Sequence, residues 1–245
     1  MTQPAENLDE ILRELEKLHG PQELAGPDDP YEMILFLNSA YPASDAKCAK
    51  GFETVKREVG VSPDAILKAP KAKLAKLLRP FGMFPDQRVE RLKDIARRVK
   101  KEAGGNLKAA LKKSIPKGLD PAGKGLRAAK KLLQAFPVIG EPSAEKILLF
   151  ANLARVAAVP SACLHVPMRI WFGGEGKNYA ADYRQARELL NSVLPEEFDP
   201  RQRAYLLLKK HGQETCKRSK PKCEVCPLTS RCAYLQARAA DKFTE

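Results

Sequence analysis

The sequence contains no apolar run long enough to cross a membrane. A spanning helix needs roughly 18 or more consecutive apolar residues, and no stretch of the 245 residues approaches that length. The N-terminal residues MTQPAENLDE are polar and acidic, unlike a signal peptide. These absences favour a cytoplasmic protein with no membrane partner.

Alternation of apolar and polar residues, the mark of a β-strand, is also missing, and the chain has no internal repeat. Apolar residues recur instead at helical spacing, beginning with Ile11, Leu12 and Leu15. Helix starts carry their usual signals, as where Ser62 precedes Pro63. The predicted fold class is all-α, with helices that include 31–41, 46–59, 89–101, 126–135, 183–193 and 200–211.

Acidic residues are outnumbered, with 30 Asp and Glu against 43 Lys and Arg, and the net charge is +13. Much of the excess lies in residues 91–131, which hold fourteen Lys or Arg and three acids. This density favours a polyanionic partner, with Lys124 and Arg127 among the candidate contacts. The alternative is an ordinary solvated helix face. Residues 116–125 within this stretch are predicted to form an extended loop.

Cysteine is scarce outside one segment. Four of the six cysteines lie in residues 216–232 at the spacing C-x6-C-x2-C-x5-C, namely Cys216, Cys223, Cys226 and Cys232. Thiolates this close on one loop can hold a metal. Zinc usually takes two C-x2-C pairs, and only Cys223 and Cys226 form one here, so the spacing favours a 4Fe-4S cluster. Zinc or two disulfides are the alternatives.

A second segment, Phe136–Ile147, has the pattern of two helices joined by a tight turn. The turn contains Gly140, and Pro142 occupies the first turn of the following helix. Free backbone N–H groups at such a helix start suit a phosphate, whereas a plain connection between helices is the alternative. The candidate contacts are Pro137, Val138, Ile139, Gly140, Ser143 and Lys146.

The cysteine loop, the stretch Leu208–Cys216 before it and the hairpin together resemble endonuclease III-like members of the helix-hairpin-helix (HhH-GPD) DNA glycosylase superfamily. The hairpin of that family reads Leu-Pro-Gly-Val-Gly, and Val138 stands here at its first glycine. The resemblance implies a 4Fe-4S cluster, a role in base excision repair and a monomer that binds double-stranded DNA, damaged or intact. It also implies that Tyr41 fills the gap left by an extruded base, although a half-buried tyrosine at a helix end is an equal alternative.

The resemblance further implies two domains. One comprises residues 1–25 and 160–245 with the cluster loop at 216–232, and the other comprises residues 26–159 with the hairpin at 126–152.

The catalytic positions of the family are not matched. Its lysine, which attacks C1′ of the sugar, lies two residues after the second hairpin glycine, where this chain has Pro142. Its aspartate, which stabilises positive charge at the sugar, lies about five residues before an arginine that corresponds to Arg169, so Leu164 takes its place. No Asp or Glu occurs from Val156 to Gly174.

The sequence therefore predicts a DNA-binding protein in which catalysis is absent or atypical and lyase activity is not expected. An active glycosylase that uses His165 is one alternative, and an RNA- or partner-binding module is another. Further candidate groups are Glu141, Glu145, Lys146, Glu175 and Asp182.

Overall fold

The structure, a computed structural model, describes residues 8–115 and 123–241. Within them the chain is helical and has no strand, so the predicted all-α fold class is confirmed. The helices are α1 Leu8–His19, α2 Pro30–Ala40, α3 Asp45–Glu58, α4 Pro63–Lys68, α5 Lys71–Leu78, α6 Pro85–Ala103, α7 Leu107–Ser114, α8 Lys124–Gln134, α9 Glu141–Phe150, α10 His165–Phe172, α11 Tyr179–Val193, α12 Phe198–Glu214 and α13 Ala233–Asp241.

These helices form two compact units. Unit 1 comprises Met1–Glu23 and Arg155–Glu245, and unit 2 comprises Leu24–Ala154. The boundaries differ by a few residues from those expected at 25/26 and 159/160. No helix in the described chain is both long and apolar enough for a membrane span.

Unit 1 is built around the pairing of the first helix with a helix near the C-terminus. In α1 the residues Ile11, Leu12 and Leu15 form one buried stripe, as their spacing predicts, and this helix packs against α12. Helix α10 packs against both α12 and α13. This arrangement brings the start of the chain to the segment that carries the four cysteines.

Unit 2 surrounds α2, whose residues are nearly all buried and which contacts α3, α6, α7 and α9. Asp29 begins this helix, since its carboxylate accepts from the N–H groups of Tyr31 at 3.0 Å and Glu32 at 3.1 Å. The next helix can approach closely because Gly51 has no side chain. A Cβ at that position would lie 3.2 Å from the Cβ of Ser39.

Predicted helix ends differ from the observed ones where a cap was missed. Ser62 does cap α4, accepting from the N–H of Ala65 at 3.2 Å. Helix α11 begins four residues earlier than predicted because Asn178 accepts from the N–H groups of its first turn. Of the predicted loop at 116–125, residues 116–122 lie outside the described chain, and Lys124 already belongs to α8.

Candidate metal centre and nucleic-acid interface

The four cysteines of the predicted ligand set line one pocket in unit 1, which opens to solvent. Helices α10, α12 and α13 contribute Arg169, His211 and Tyr234 to its wall. The C-x6-C-x2-C-x5-C segment therefore curls around a single space.

The loop that carries the cysteines is fixed at both ends. Helix α12 stops where the carbonyl of His211 accepts from the N–H groups of Thr215 at 2.9 Å and Cys216 at 2.8 Å. The N–H of Lys222 then donates to the carbonyl of Thr215 at 2.9 Å and closes the first part of the loop. Further along, Arg231 binds two carboxylates of α1, Glu10 at 2.7 Å and Glu14 at 3.0 Å.

A buried arginine lies beside the first cysteine. The guanidinium of Arg169 is 3.6 Å from the Sγ of Cys216, and it donates to the carbonyls of Lys217 at 2.9 Å and Arg218 at 2.6 Å. It also stacks on the ring of Tyr234, 5.0 Å from the centroid. No carboxylate within the described residues pairs with it. A buried cation without a carboxylate suits an anionic neighbour.

His165 faces the same loop. Its Nε2 lies 2.6 Å from the carbonyl oxygen of Cys216, and the residue is only 2 % exposed. Because a carbonyl can only accept, Nε2 donates. The Nδ1 atom is buried and has no hydrogen-bond partner in the described chain. Burial lowers the pKa of His165, so its ring favours the neutral form. The imidazole of His165 is thus hydrogen-bonded to the cysteine loop.

The four thiols that line the pocket are ligands of a kind that binds zinc as well as an iron–sulfur cluster. In the described residues no group of His, Cys, Asp or Glu side chains is arranged to hold a metal ion. Zinc would need four sulfurs about 2.3 Å from its centre, hence about 3.8 Å from one another. A four-iron cluster binds each thiolate at a different iron, so its ligands stand further apart. The arginine and the surrounding pocket suit such an anionic group.

The metal-free thiols favour their protonated forms. Burial raises the pKa of the Cys226 thiol to about 11, and it also raises the pKa values of the Cys216 and Cys223 thiols. Binding of a metal cluster would therefore release protons.

In unit 2 the predicted hairpin is present as α8, a short turn and α9. The N–H of Ile139 donates to the carbonyl of Phe136 at 3.3 Å, and Gly140 precedes α9 without a side-chain cap. Val138, at the position of the family's first glycine, has φ +58°. This left-handed conformation favours glycine, so the valine adopts it at a cost in strain.

Two contacts hold the hairpin in place. Asn38 is fully buried in α2, and its Nδ2 donates to the carbonyl of Pro137 at 3.1 Å. Lys130 in α8 binds Glu141 and, at 2.8 Å, the buried carboxylate of Glu145 in α9. Both glutamates, candidates for a catalytic group, are therefore engaged within the hairpin.

The remaining candidate contacts differ in exposure. Gly140, Lys124 and Arg127 are exposed, and Pro137, Val138 and Ser143 are half-buried. Ile139 and Lys146 are buried, which favours a packing role for these two over a direct phosphate contact.

An apolar pair that sequence reasoning missed projects from the loop before α6. Met83 and Phe84 are 67 % and 66 % exposed, the largest values among the exposed apolar side chains of the described chain. Arg88 holds the loop from below: it is 1 % exposed and donates to the carbonyls of Met83 at 3.1 Å and Gly82 at 2.6 Å. Two apolar residues between Gly82 and Pro85, outside any amphipathic helix, were the available signal.

The hairpin and the apolar pair meet at the end of α2. Asn38 binds the hairpin, and the carbonyl of the next residue, Ser39, accepts from Arg88 at 2.6 Å. A Cβ at Gly82 would lie 3.2 Å from the carbonyl oxygen of Ala40, so the loop abuts the same helix end. Tyr41 follows directly and is 49 % exposed.

No protein-family model matches the chain. Over 175 residues, 70 % of this chain and 67 % of the relative, it is 27 % identical to a thymine/uracil-DNA glycosylase of Methanothermobacter thermautotrophicus. Its structure is similar to that of a thermostable thymine-DNA glycosylase (TM-score 0.70, 22 % identity, 94 % of each chain). It is also similar to endonuclease III in a non-covalent DNA complex (TM-score 0.71, 16 % identity, 98 % of this chain and 100 % of that one).

The chain therefore shares the fold of endonuclease III and of the thermostable thymine-DNA glycosylase. Within this fold, the two positions at which the sequence predicts that catalytic residues are missing carry apolar side chains. Pro142 occupies the first turn of α9, and Leu164 is fully buried before α10. Of the remaining candidates, Asp182 accepts from the N–H of Gly176 at 2.8 Å, and Glu175 pairs with Arg218.

Proposed function

We propose that the chain binds double-stranded DNA at damaged bases, in the manner of a base-excision-repair glycosylase. The observation that carries this proposal is the convergence of three features at the end of α2: the hairpin, the Met83–Phe84 pair and Tyr41. Exposed N–H groups at a helix start suit a phosphate. Apolar and aromatic side chains suit insertion between bases or beside an extruded one.

Electrostatics supports the same partner. The net charge is +13, and the exposed cations Lys124 and Arg127 lie on α8 of the hairpin. Contacts of this kind act on the DNA backbone and weaken as salt rises. A cytoplasmic monomer remains the prediction from the sequence.

The second part of the proposal is that the four cysteines hold a 4Fe-4S cluster. The pocket they line and the buried guanidinium of Arg169 support this assignment. When bound, the cluster would hold the loop in place, since few apolar residues of the loop are buried.

The third part concerns catalysis, which we infer is absent or differs from the Lys and Asp chemistry of the superfamily. Pro142 cannot form a Schiff base, and Leu164 cannot stabilise a developing cation. His165, Glu141, Glu145, Glu175 and Asp182 all have partners within their own units.

Duplexes that carry oxidised, alkylated, deaminated or abasic sites test the proposal. We expect tighter binding to at least one of them than to undamaged DNA, and no product trapped by borohydride. Base release that is lost in His165→Ala while iron content is kept would support the glycosylase alternative. Tighter binding to structured RNA would favour an RNA-binding module, and no binding to any duplex at low salt would refute the proposal.

A further inference from the structure

The imidazoles of His19 and His211 connect one cysteine of the proposed cluster with the surface of unit 1. Nδ1 of His211 lies 3.1 Å from Nε2 of His19, and Nε2 of His211 lies 3.6 Å from the Sγ of Cys226. His211 is 1 % exposed, whereas His19, the last residue of α1, is half-buried. The two rings meet edge to face, with centroids 5.4 Å apart.

The positions of the protons on the imidazoles of His19 and His211 depend on each other. The buried ring of His211 lies between His19 and Cys226, and a neutral imidazole carries one N–H and one acceptor nitrogen. A thiolate that binds iron has no proton and can only accept a hydrogen bond. The Nε2 atom of His211 must then carry the ring's proton. Its Nδ1 is left as an acceptor, which requires that Nε2 of His19 donate.

We propose that His19 is a positioning residue for the cluster, because its donation to Nδ1 of His211 holds the ring whose Nε2–H donates to Cys226. This inference rests on the cluster assignment above. Without His19, the buried lone pair of Nδ1 would lack a partner, the ring could turn and its hydrogen bond to sulfur would weaken. Hydrogen bonds to the ligand sulfurs help to set the reduction potential of an iron–sulfur cluster. They favour the reduced form, which carries more negative charge.

Three variants of the full-length, cluster-loaded protein distinguish a positioning role of His19 from a general loss of structure at the end of α1. His19→Leu removes the donor, and His19→Gln keeps an amide donor of similar reach. Gln22→Ala is the matched control: Nε2 of Gln22 donates to the backbone carbonyl of His19 at 2.8 Å, so its loss disturbs the same helix end but leaves the imidazole pair intact. The readouts are iron per chain, the reduction potential by protein-film voltammetry and the iron–thiolate stretching bands by resonance Raman.

We expect His19→Leu to lower the reduction potential and to shift an iron–thiolate band. His19→Gln should restore both toward wild type, and Gln22→Ala should leave both unchanged. Equal potentials in wild type and His19→Leu, or a His19→Gln protein no different from His19→Leu, would overturn the proposal. If His19→Leu cannot retain iron, His19→Asn, whose amide is too short to reach, takes its place with the same two outcomes. A wild type without iron refutes the cluster assignment itself, which distinguishes that failure from this one.

Discussion

The Nε2 atom of His165 donates to the carbonyl oxygen of Cys216 across 2.6 Å. This contact assigns the imidazole to the cysteine loop and bears directly on the alternative that His165 performs catalysis. A group that must act on a sugar needs a free face, whereas the ring of His165 is 2 % exposed.

We therefore expect His165→Ala to damage the loop first. Loss of the donor leaves a buried carbonyl unsatisfied, which costs roughly 1–3 kcal/mol, and the protein should lose iron and melt at a lower temperature. His165→Gln, which keeps a donor, should retain more iron. Iron per chain and Tm measure both effects. A fully iron-loaded His165→Ala protein that has lost base release would assign His165 a catalytic role instead.

The hairpin contact with DNA is tested by adding a methyl group at Gly140. A Cβ there meets nothing nearer than 3.8 Å, and φ is −86°, so Gly140→Ala should fold normally. If a phosphate approaches the hairpin closely, affinity for every duplex sequence should fall, by about tenfold, or 1.4 kcal/mol. The measurement is a fluorescence-anisotropy titration on several unrelated duplexes.

Gly212→Ala provides the contrasting control for that experiment. A Cβ at Gly212 would lie 2.7 Å from the Sγ of Cys163 and 2.9 Å from Val166. Overpacking of this kind costs roughly 1–3 kcal/mol, so this variant should lose stability and keep its affinity for DNA while folded. Unchanged affinity in Gly140→Ala would show that the hairpin does not touch the backbone.

The exposed apolar pair offers a second test of the interface. Because Met83 and Phe84 are about two-thirds exposed, Phe84→Ser and Met83→Ser should leave Tm nearly unchanged. Both should weaken binding to duplexes, most of all to duplexes with a mismatched or abasic site. Tyr179→Ser, which removes an exposed aromatic residue of unit 1, is the control. Wild-type affinity in both loop variants would remove the pair from the interface.

The backbone strain at Val138 should lower the free energy of unfolding by a measurable amount. A left-handed conformation costs an L-residue roughly 1–2 kcal/mol, and glycine adds roughly 0.5–1 kcal/mol of unfolded-chain entropy. Val138→Gly should therefore raise the free energy of unfolding by up to about 1 kcal/mol in urea titrations. A destabilised Val138→Gly protein would mean that packing of the isopropyl group outweighs the strain.

Much of the architecture was predictable because it is local. Apolar residues at helical spacing indicated the all-α fold, which the structure confirms. The cysteine spacing indicated a single loop, and the four cysteines of that loop line one pocket. Contacts between distant parts of the chain were not predictable in this way. His19 and His211 are 192 residues apart, and Arg88 reaches Ser39 across 49 residues. The role of such side chains depends on packing that no local pattern encodes.

The left-handed backbone conformation of Val138 could not be predicted from the sequence, for a different reason. Valine disfavours a positive φ, so its sequence position gave no sign of the left-handed turn that the structure shows. The hydrogen bond of His165 could not be predicted from the sequence either, because its partner is a backbone carbonyl on another segment.

The amounts of iron, acid-labile sulfide and zinc in the purified wild-type protein decide whether the four cysteines hold a 4Fe-4S cluster. We predict a brown protein with about four irons and four sulfides per chain, and loss of both in Cys223→Ser. A colourless, folded wild type with about one zinc per chain and no sulfide would contradict it.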